Sequence, residues 1–415
     1  MAGFWPVKIA MVTDCYPPRL GGIESQVRDL SRHLVAGGHD VEVFTATAGP
    51  DGERGGVVST GPDGVVVHRF AIRLPGGAPV NPFARREIRR RIAAGGFDVV
   101  HAHLGIVSPF ATELVPVALA LGMPVTATFH CVFDRAAPLF RAIGHVARWA
   151  AAGVALNAVS TMAAARVSTV ARDAQVDVVP NGVDAAWWRA SPTDGPSADA
   201  PSTDVPSTDV PSVDAPSTDP PSADAPTRPP GVRHRPVHVV SAMRLVSRKR
   251  PLATLDVLGR ARDLLDPAVP LTATIVGEGP QRRRMESHLR SMDMAWVSLP
   301  GRVDREHLRR LHHGADAYLT AAHLEAFGIA ALEARAAGVP VLAVRGTGAD
   351  DFVTDGVDGL LADSDDMLAR QLARLASDDE LREGIRAHLR TTPPAQDWPG
   401  VVGATFAQYV RAGAC

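Results

Sequence analysis

The 415-residue sequence predicts two doubly wound α/β domains joined by a low-complexity segment. Three observations lead there. Short apolar runs alternate with helical stretches through both halves, the pattern of parallel strands covered on both faces. Hydrophobic content of 46% with 37 glycines and few aromatic residues fits a soluble α/β enzyme. Between the halves lies a repeat with too few large apolar side chains to build a core.

In chain order, "KIAMVTD" (8–14) reads as the first strand, followed by a loop containing Gly21-Gly22 and the helical stretch "ESQVRDLSRHLVAGG" (24–38). "DVEVFTA" (40–46), "DVVHAHL" (98–104), "PVTATFH" (124–130) and "GVALNAVS" (153–160) continue the first domain, 1–190. The second, 231–396, repeats the rhythm with "VHVVSAM" (237–243), "LTATIVG" (271–277), "WVSLPG" (296–301), "AYLTA" (317–321) and "PVLAV" (340–344). Ligands in such sheets bind beyond the carboxyl ends of the strands, so the loops after strands are the candidate sites.

Residues 191–230 repeat a unit of the form P-S-x-D-x, with seven aspartates and one arginine. Proline biases it toward extended polyproline II, a disordered tether whose 40 residues would span roughly 35 Å as a coil and on the order of 120 Å extended. It reads first as an interdomain linker, with a partner-docking arm as the alternative.

A net charge of -2 supplies no global field for nucleic acid or membrane. Cys15, Cys131 and Cys415 form no CxxC pair, so a reducing cytoplasm is expected. The opening run "VKIAMVTD" is short and ends in Asp, so it is not expected to act as a secretory signal. The most apolar stretch, 107–129, is interrupted by Glu113, Pro116 and Pro124 and is not expected to span a bilayer.

Chemistry concentrates in a few loops. "HLEAFGIAALEA" (323–334) places Glu325 ahead of a helix and Glu333 on its second turn, with the helix N-terminus beside Glu325. Free N–H groups there favour an anion or a polar ligand, and the two carboxylates can accept bonds from sugar hydroxyls. The plain alternative is a solvated pair of glutamates. "SAMRLVSRKRP" (241–251) carries Arg244 and Lys249 on one loop after a strand. Two cations facing a helix N-terminus suit a diphosphate and would stabilise charge on a phosphate leaving group. Without that context, the loop is an ordinary basic surface. At Gly21-Gly22 bare backbone can approach a phosphate, although most such pairs are turns.

Together these residues resemble a known family, the retaining GT-B glycosyltransferases of the "glycosyl transferases group 1" (family 4) class. The resemblance rests on Gly21-Gly22-Ile23-Glu24, "DVVHAH" (98–103), "TFH" ending at His130, "VPNGVD" (179–184), "RLVSRK" (244–249), "VGEGP" (276–280), "PGRV" (300–303), "EAFGIAALEA" (325–334), "AAGVPVLA" (336–343) and "DGVDGLL" (355–361), all in the family's order. It implies two Rossmann-like domains facing a cleft, a nucleotide-diphosphate sugar on the second and the acceptor on the first. His130, Glu325, Arg244 and Lys249 then match catalytic positions. Gly21, Gly22, Gly277, Arg302, Phe327, Gly328, Ile329 and Glu333 match donor-binding ones. Arg244 and Lys249 would hold the diphosphate, Glu325 and His130 would flank the transferred sugar, and Glu333 would bind the ribose.

The same resemblance implies front-face transfer with retention, in which the leaving phosphate assists deprotonation of the acceptor hydroxyl, with no cofactor and no metal. The stretch "DWPGVVGATFAQYVRA" (397–412) is similar to the family's last helix, so 397–415 is expected to cross back onto the first domain. Two departures stand out. "GTGADDF" (346–352) has Asp351 where the family has a glutamate, and Ala326 replaces a common glycine or proline. Both are read as tuning donor or acceptor choice.

Within the family, "MVTDCYPPRLGGIESQV" and the stretch from 97 to 130 most resemble enzymes that glycosylate phosphatidylinositol. Bacterial mannosyltransferases imply GDP-mannose; GPI-anchor synthesis implies UDP-N-acetylglucosamine. "NPFARREIRRRIAAGG" (81–96) puts five arginines on a helix whose Phe83, Ile88 and Ile92 face either the core or a bilayer. An anionic membrane face is one reading of 83–92, for a cytoplasmic enzyme with a lipid acceptor. A solvated helix is the other. No aromatic stacking residues accompany it, so no nucleic-acid partner is expected. A nucleotide-sugar epimerase and a non-catalytic scaffold are the rivals from other classes.

Overall fold

The computed structural model describes residues 6–19, 21–73, 79–134, 137–191 and 235–414. The repeat expected to be a linker lies outside the described residues from 192 onward.

Among the described residues the first domain carries β1 (Lys8–Thr13), β2 (Asp40–Thr45), β3 (Val57–Thr60), β4 (Val66–Arg69), β5 (Val99–Leu104), β6 (Val125–Phe129), β7 (Ala155–Ala158) and β8 (Asp177–Val178). They form one sheet in the order β3-β4-β2-β1-β5-β6-β7-β8. Only the edge pair β3–β4 is antiparallel. The second domain carries β9 (Val237–Ala242), β10 (Leu271–Val276), β11 (Val297–Gly301), β12 (Ala317–Leu319), β13 (Val341–Val344) and β14 (Gly359–Ala362). Their order is β11-β10-β9-β12-β13-β14, parallel throughout. Apolar runs such as "VVHAHL" are buried along their whole length because helices cover both faces.

In each sheet the chain builds outward on one side of its first strand and then returns to the other side. The return opens a crevice between the carboxyl ends of β1 and β5, and of β9 and β12. The first crevice holds an internal anion. Asp14, buried directly after β1, accepts the N–H groups of Phe110 at 3.0 Å and Ala111 at 3.1 Å, at the start of the helix Pro109–Ala120. Burial raises its carboxyl to about 6 against those bonds. A carboxylate from 96 residues away thus occupies the place a ligand phosphate takes in such crevices.

The two domains exchange elements. The final helix, Trp398–Arg411, buries Trp398, Val401, Phe406 and Tyr409 in the first domain's core with Val27, Leu34 and Val99, as its family resemblance implies. Trp398 stacks on His33 with centroids 4.7 Å apart. Conversely, the short helix Ala185–Arg189 places Trp188 in the second domain's core beside Tyr318 and Leu332. Packing therefore assigns Trp188 to the second domain, ahead of the covalent boundary expected at 190.

The basic helix Arg85–Ala94 buries Ile88 and Ile92 against the first core. Arg91 turns inward to the Gly56 carbonyl at 2.9 Å. Of the apolar residues expected to face core or bilayer, Phe83 alone is exposed, at 83%, beside exposed Arg85, Arg86, Arg89 and Arg90. Among the described residues no helix is long and apolar enough to cross a membrane.

Candidate active site

The loop after β9 is fixed from below by glycines. Gly277 has φ +137, and a Cβ there would sit 1.8 Å from the Met243 carbonyl oxygen, so only glycine lets the two loops touch. The Met243 N–H donates to Val276 at 3.0 Å and the Leu245 N–H to Glu278 at 2.9 Å. Gly277 thus positions Arg244 through the backbone. Arg244 itself is exposed at the cleft, near enough to Cys15 of the first domain to offset slightly the burial that pushes that thiol up to about 11. Arg302 is exposed just past β11.

A second fixture is invisible in sequence. Arg250, left-handed at φ 54, makes a two-pronged bond to Asp365 at 2.8 and 2.7 Å and donates to the Ala321 carbonyl at 2.8 Å. It ties the loop after β9 to the loop after β12, 71 residues away, and to the start of the helix Asp365–Ser377, 115 residues away. The neighbouring Lys249 ends a 3-10 turn, Ser247–Lys249, and its ammonium pairs with the Glu325 carboxylate. Two of the expected site residues therefore meet directly.

The helix Ile329–Ala336 begins at left-handed Gly328, φ 97, so the turn redirects the chain between the two glutamates. Glu325 precedes the helix and Glu333 lies on its second turn, as expected. Phe327 is buried against Phe352, 5.4 Å between centroids, which leaves its backbone rather than its ring for a ligand. Glu333 is half-buried, and its carboxyl rises to about 7 because burial outweighs the nearby Arg305 charge; Asp29 of the first domain pushes the same way as burial.

The residues flanking this turn clamp the domains together. The Ser160 hydroxyl donates to the Ala326 carbonyl at 2.6 Å, and the Thr161 N–H donates to Asp351 at 2.6 Å. Ala326, through its backbone carbonyl, and Asp351, both read from sequence as tuning ligand choice, lie where the domains join. Asp351 binds the N-terminus of the first-domain helix Thr161–Val170, where a carboxylate complements the helix dipole.

Across the cleft, a Cβ on Gly22 would lie 3.1 Å from Ile329 Cδ1. The Gly21 backbone is covered by the Glu24 carboxylate, itself 3.5 Å from Arg19. An approaching phosphate would therefore displace Glu24 from that helix N-terminus.

His130 ends a stack of imidazoles that sequence reading did not assemble. His101 and His103, two apart on β5, share one face of the strand as period-two alternation requires, with centroids 4.0 Å apart. His103 Nδ1 lies 3.0 Å from His130 Nε2, and His101 Nδ1 lies 3.0 Å from the Tyr409 hydroxyl of the final helix. Burial lowers all three, His101 to about 3 and His130 to about 4, so the stack is neutral at neutral pH. A cavity of about 20 Å³ lies among His101, His103, His130, Thr128 and Asn181, room for one water. Among the described residues no three His, Cys, Asp or Glu side chains gather as a metal site.

Comparison with known proteins agrees with this architecture. Residues 20–187 match the model of Glycosyltransferase Family 4, and residues 227–391 that of Glycosyl transferases group 1. The phosphatidyl-myo-inositol mannosyltransferase of Mycolicibacterium smegmatis is 28% identical over 407 residues, covering 94% of this chain and 90% of that enzyme. A D-inositol 3-phosphate glycosyltransferase of Salinispora arenicola is 29% identical, covering 89% and 83%. The 2-deoxystreptamine N-acetyl-D-glucosaminyltransferase of Niallia circulans is 29% identical over only 31% of this chain, and the match spans about a third (34%) of that enzyme. Anabaena HepE, solved with UDP and glucose, superposes with a TM-score of 0.67 at 15% identity, covering 97% and 98%. Sucrose-phosphate synthase from Thermosynechococcus elongatus gives 0.68 at 18%, covering 98% and 99%. With two parallel-sheet domains facing a cleft and a family match in each, the chain belongs to the GT-B glycosyltransferases of family 4, the glycosyl transferases group 1 class.

Proposed function

We propose that this glycosyltransferase moves mannose from GDP-mannose to a hydroxyl of an inositol-containing acceptor such as phosphatidylinositol, with retention at the anomeric carbon. The observation that carries the reading is the Lys249–Glu325 pair at the start of the helix Ile329–Ala336, in the crevice of the second sheet. Cations and helix N–H groups converge there to hold a diphosphate and stabilise the charge it gains on leaving. Arg244 and Lys249 take the diphosphate, Glu333 the ribose, and Glu325 with His130 the transferred sugar. The acceptor enters from the first domain. In the absence of an evident enzyme nucleophile, the departing phosphate takes the acceptor proton while the protein positions both partners, without a metal. The similarity along nearly the whole chain to a phosphatidylinositol mannosyltransferase favours mannose and an inositol lipid. Exposed Phe83 and the arginines around it would then rest on the anionic surface that bears the acceptor, at the inner face of the cell membrane.

A second reading keeps the chemistry and changes the donor to a UDP-sugar, because HepE, a structural neighbour, was solved with UDP. Thermal unfolding with GDP, UDP and their sugar conjugates separates the two. A ligand at a hundred times its dissociation constant adds about 2.7 kcal/mol of stability. Protection by GDP-mannose supports the first reading, and protection by UDP conjugates the second. No protection by any nucleotide sugar overturns both. Product made without an acceptor would point to an epimerase, and loss of function on deleting 191–230 to a scaffold.

A further inference from the structure

We propose that Met11 is a positioning residue: its thioether fixes His103 and, through it, His130 in one tautomer, so that His130 meets ligands as a hydrogen-bond acceptor. The inference rests on the proposed placement of His130 beside the transferred sugar.

Both nitrogens of His103 are engaged, Nε2 with Met11 Sδ at 3.2 Å and Nδ1 with His130 Nε2 at 3.0 Å. A thioether sulfur has no proton and can only accept. The proton of neutral His103 therefore sits on Nε2, pointing at sulfur; the other tautomer would set two lone pairs against each other. His103 Nδ1 is then an acceptor, so His130 must donate to it from Nε2. The one remaining nitrogen of His130, Nδ1, is a bare lone pair.

A charged imidazole would escape this logic, but His103 is 2% exposed and its own contacts are a sulfur and another imidazole. Desolvation holds its pKa far below the ordinary value, and the neighbouring His101 and His130 push it the same way.

The stacked His101 is fixed in the same sense by an independent route. Thr126 donates its hydroxyl to the Ala155 carbonyl, so it accepts from Asn157 Nδ2 at 3.0 Å. Asn157 Oδ1 consequently faces Thr128 and takes its proton at 2.6 Å. Thr128 is left as the acceptor for His101 Nε2–H at 2.7 Å, and Tyr409 donates to His101 Nδ1. Two stacked imidazoles thus carry their protons on the same nitrogen, for two unrelated reasons.

The consequence is a sign. His130 can accept from a hydroxyl of the sugar or the acceptor at Nδ1. As a neutral ring it cannot donate to a phosphate oxygen or act as a general acid without breaking the His103 bond.

Nitrogen-15 histidine spectra of the full-length protein test this directly. Wild type should show His103 and His130 each protonated at Nε2 alone across neutral pH. Met11→Leu, nearly isosteric, removes the acceptor; it should mix the tautomers of both rings and raise the KM for nucleotide sugar roughly fivefold to tenfold. A His103 protonated at Nδ1 in wild type overturns the proposal without any variant, as does an unchanged tautomer pair in Met11→Leu. The spectra do not depend on turnover, so a failure of the donor assignment would leave them standing.

Discussion

The Lys249 ammonium and the Glu325 carboxylate form an ion pair across 76 residues of sequence, their side chains 22% and 18% exposed. Each is a proposed ligand contact and each serves as the other's counter-ion. A partly exposed pair of this kind is a weak bond, so a diphosphate can take over the ammonium at small cost. The pair keeps both side chains in place for the proposed donor.

Substituting either end should therefore affect transfer rather than folding. Lys249→Ala and Glu325→Ala are each expected to lower kcat by on the order of 10²–10³, the usual effect of deleting one charge-stabilising group. Far-UV circular dichroism and the melting temperature should stay near wild type. Wild-type turnover in either variant would falsify the site assignment.

Glu333 sets a pH dependence. Its folded pKa of about 7 lies above the ordinary carboxyl value of 4.5, so the free protein holds a proton there that a ribose contact must expel. Nucleotide affinity should weaken as pH falls below 7, up to about tenfold per unit. The same raised pKa means the group's contribution to stability declines as pH rises from 4.5 to 7. Calorimetric titration of nucleotide between pH 6 and 8 checks the first effect. Glu333→Gln should bind with no such slope.

Gly22 faces Ile329 too closely for a branched side chain. Gly22→Val should force the domains apart and cut kcat/KM by about tenfold to a hundredfold, with little change in melting temperature. Gly22→Ala, which meets only the movable end of Ile329, should lose far less. A valine variant with unchanged kcat/KM would show that this approach is not part of the working enzyme.

Asp14 caps a helix far away in sequence. Asp14→Ala strands the buried N–H groups of Phe110 and Ala111 and should cost about 2 kcal/mol in urea unfolding. Asp14→Asn keeps an acceptor and should lose less. Equal stability of all three proteins would contradict the capping role.

The strand cores were legible because parallel strands buried on both faces write themselves as largely apolar runs, as in "VLAV" and, with two histidines, "VVHAHL". β3 and β4 were not, since a four-residue edge hairpin that is half solvated leaves no such run. The paired glutamates and basic loop could be found from local composition. Arg250 could not, because its meaning lies in Asp365. Nor could the roles of Ala326 and Asp351, whose partners Ser160 and Thr161 sit in the other domain. For the imidazole stack a signal existed: two histidines spaced two apart on a strand must share a face. Their third member comes from the next strand, which spacing alone does not pair.

The exchanged elements make the molecule a handshake. A protease cutting between 191 and 235 would yield one polypeptide carrying Trp188, whose socket is in the other, and one carrying the helix of Trp398 and Tyr409, whose socket is in the first. The fragments should remain clasped after the cut. The covalent bridge is then dispensable for holding the halves together, which frees its length and composition to drift and makes the region a natural place to insert a tag or to divide the chain into two genes.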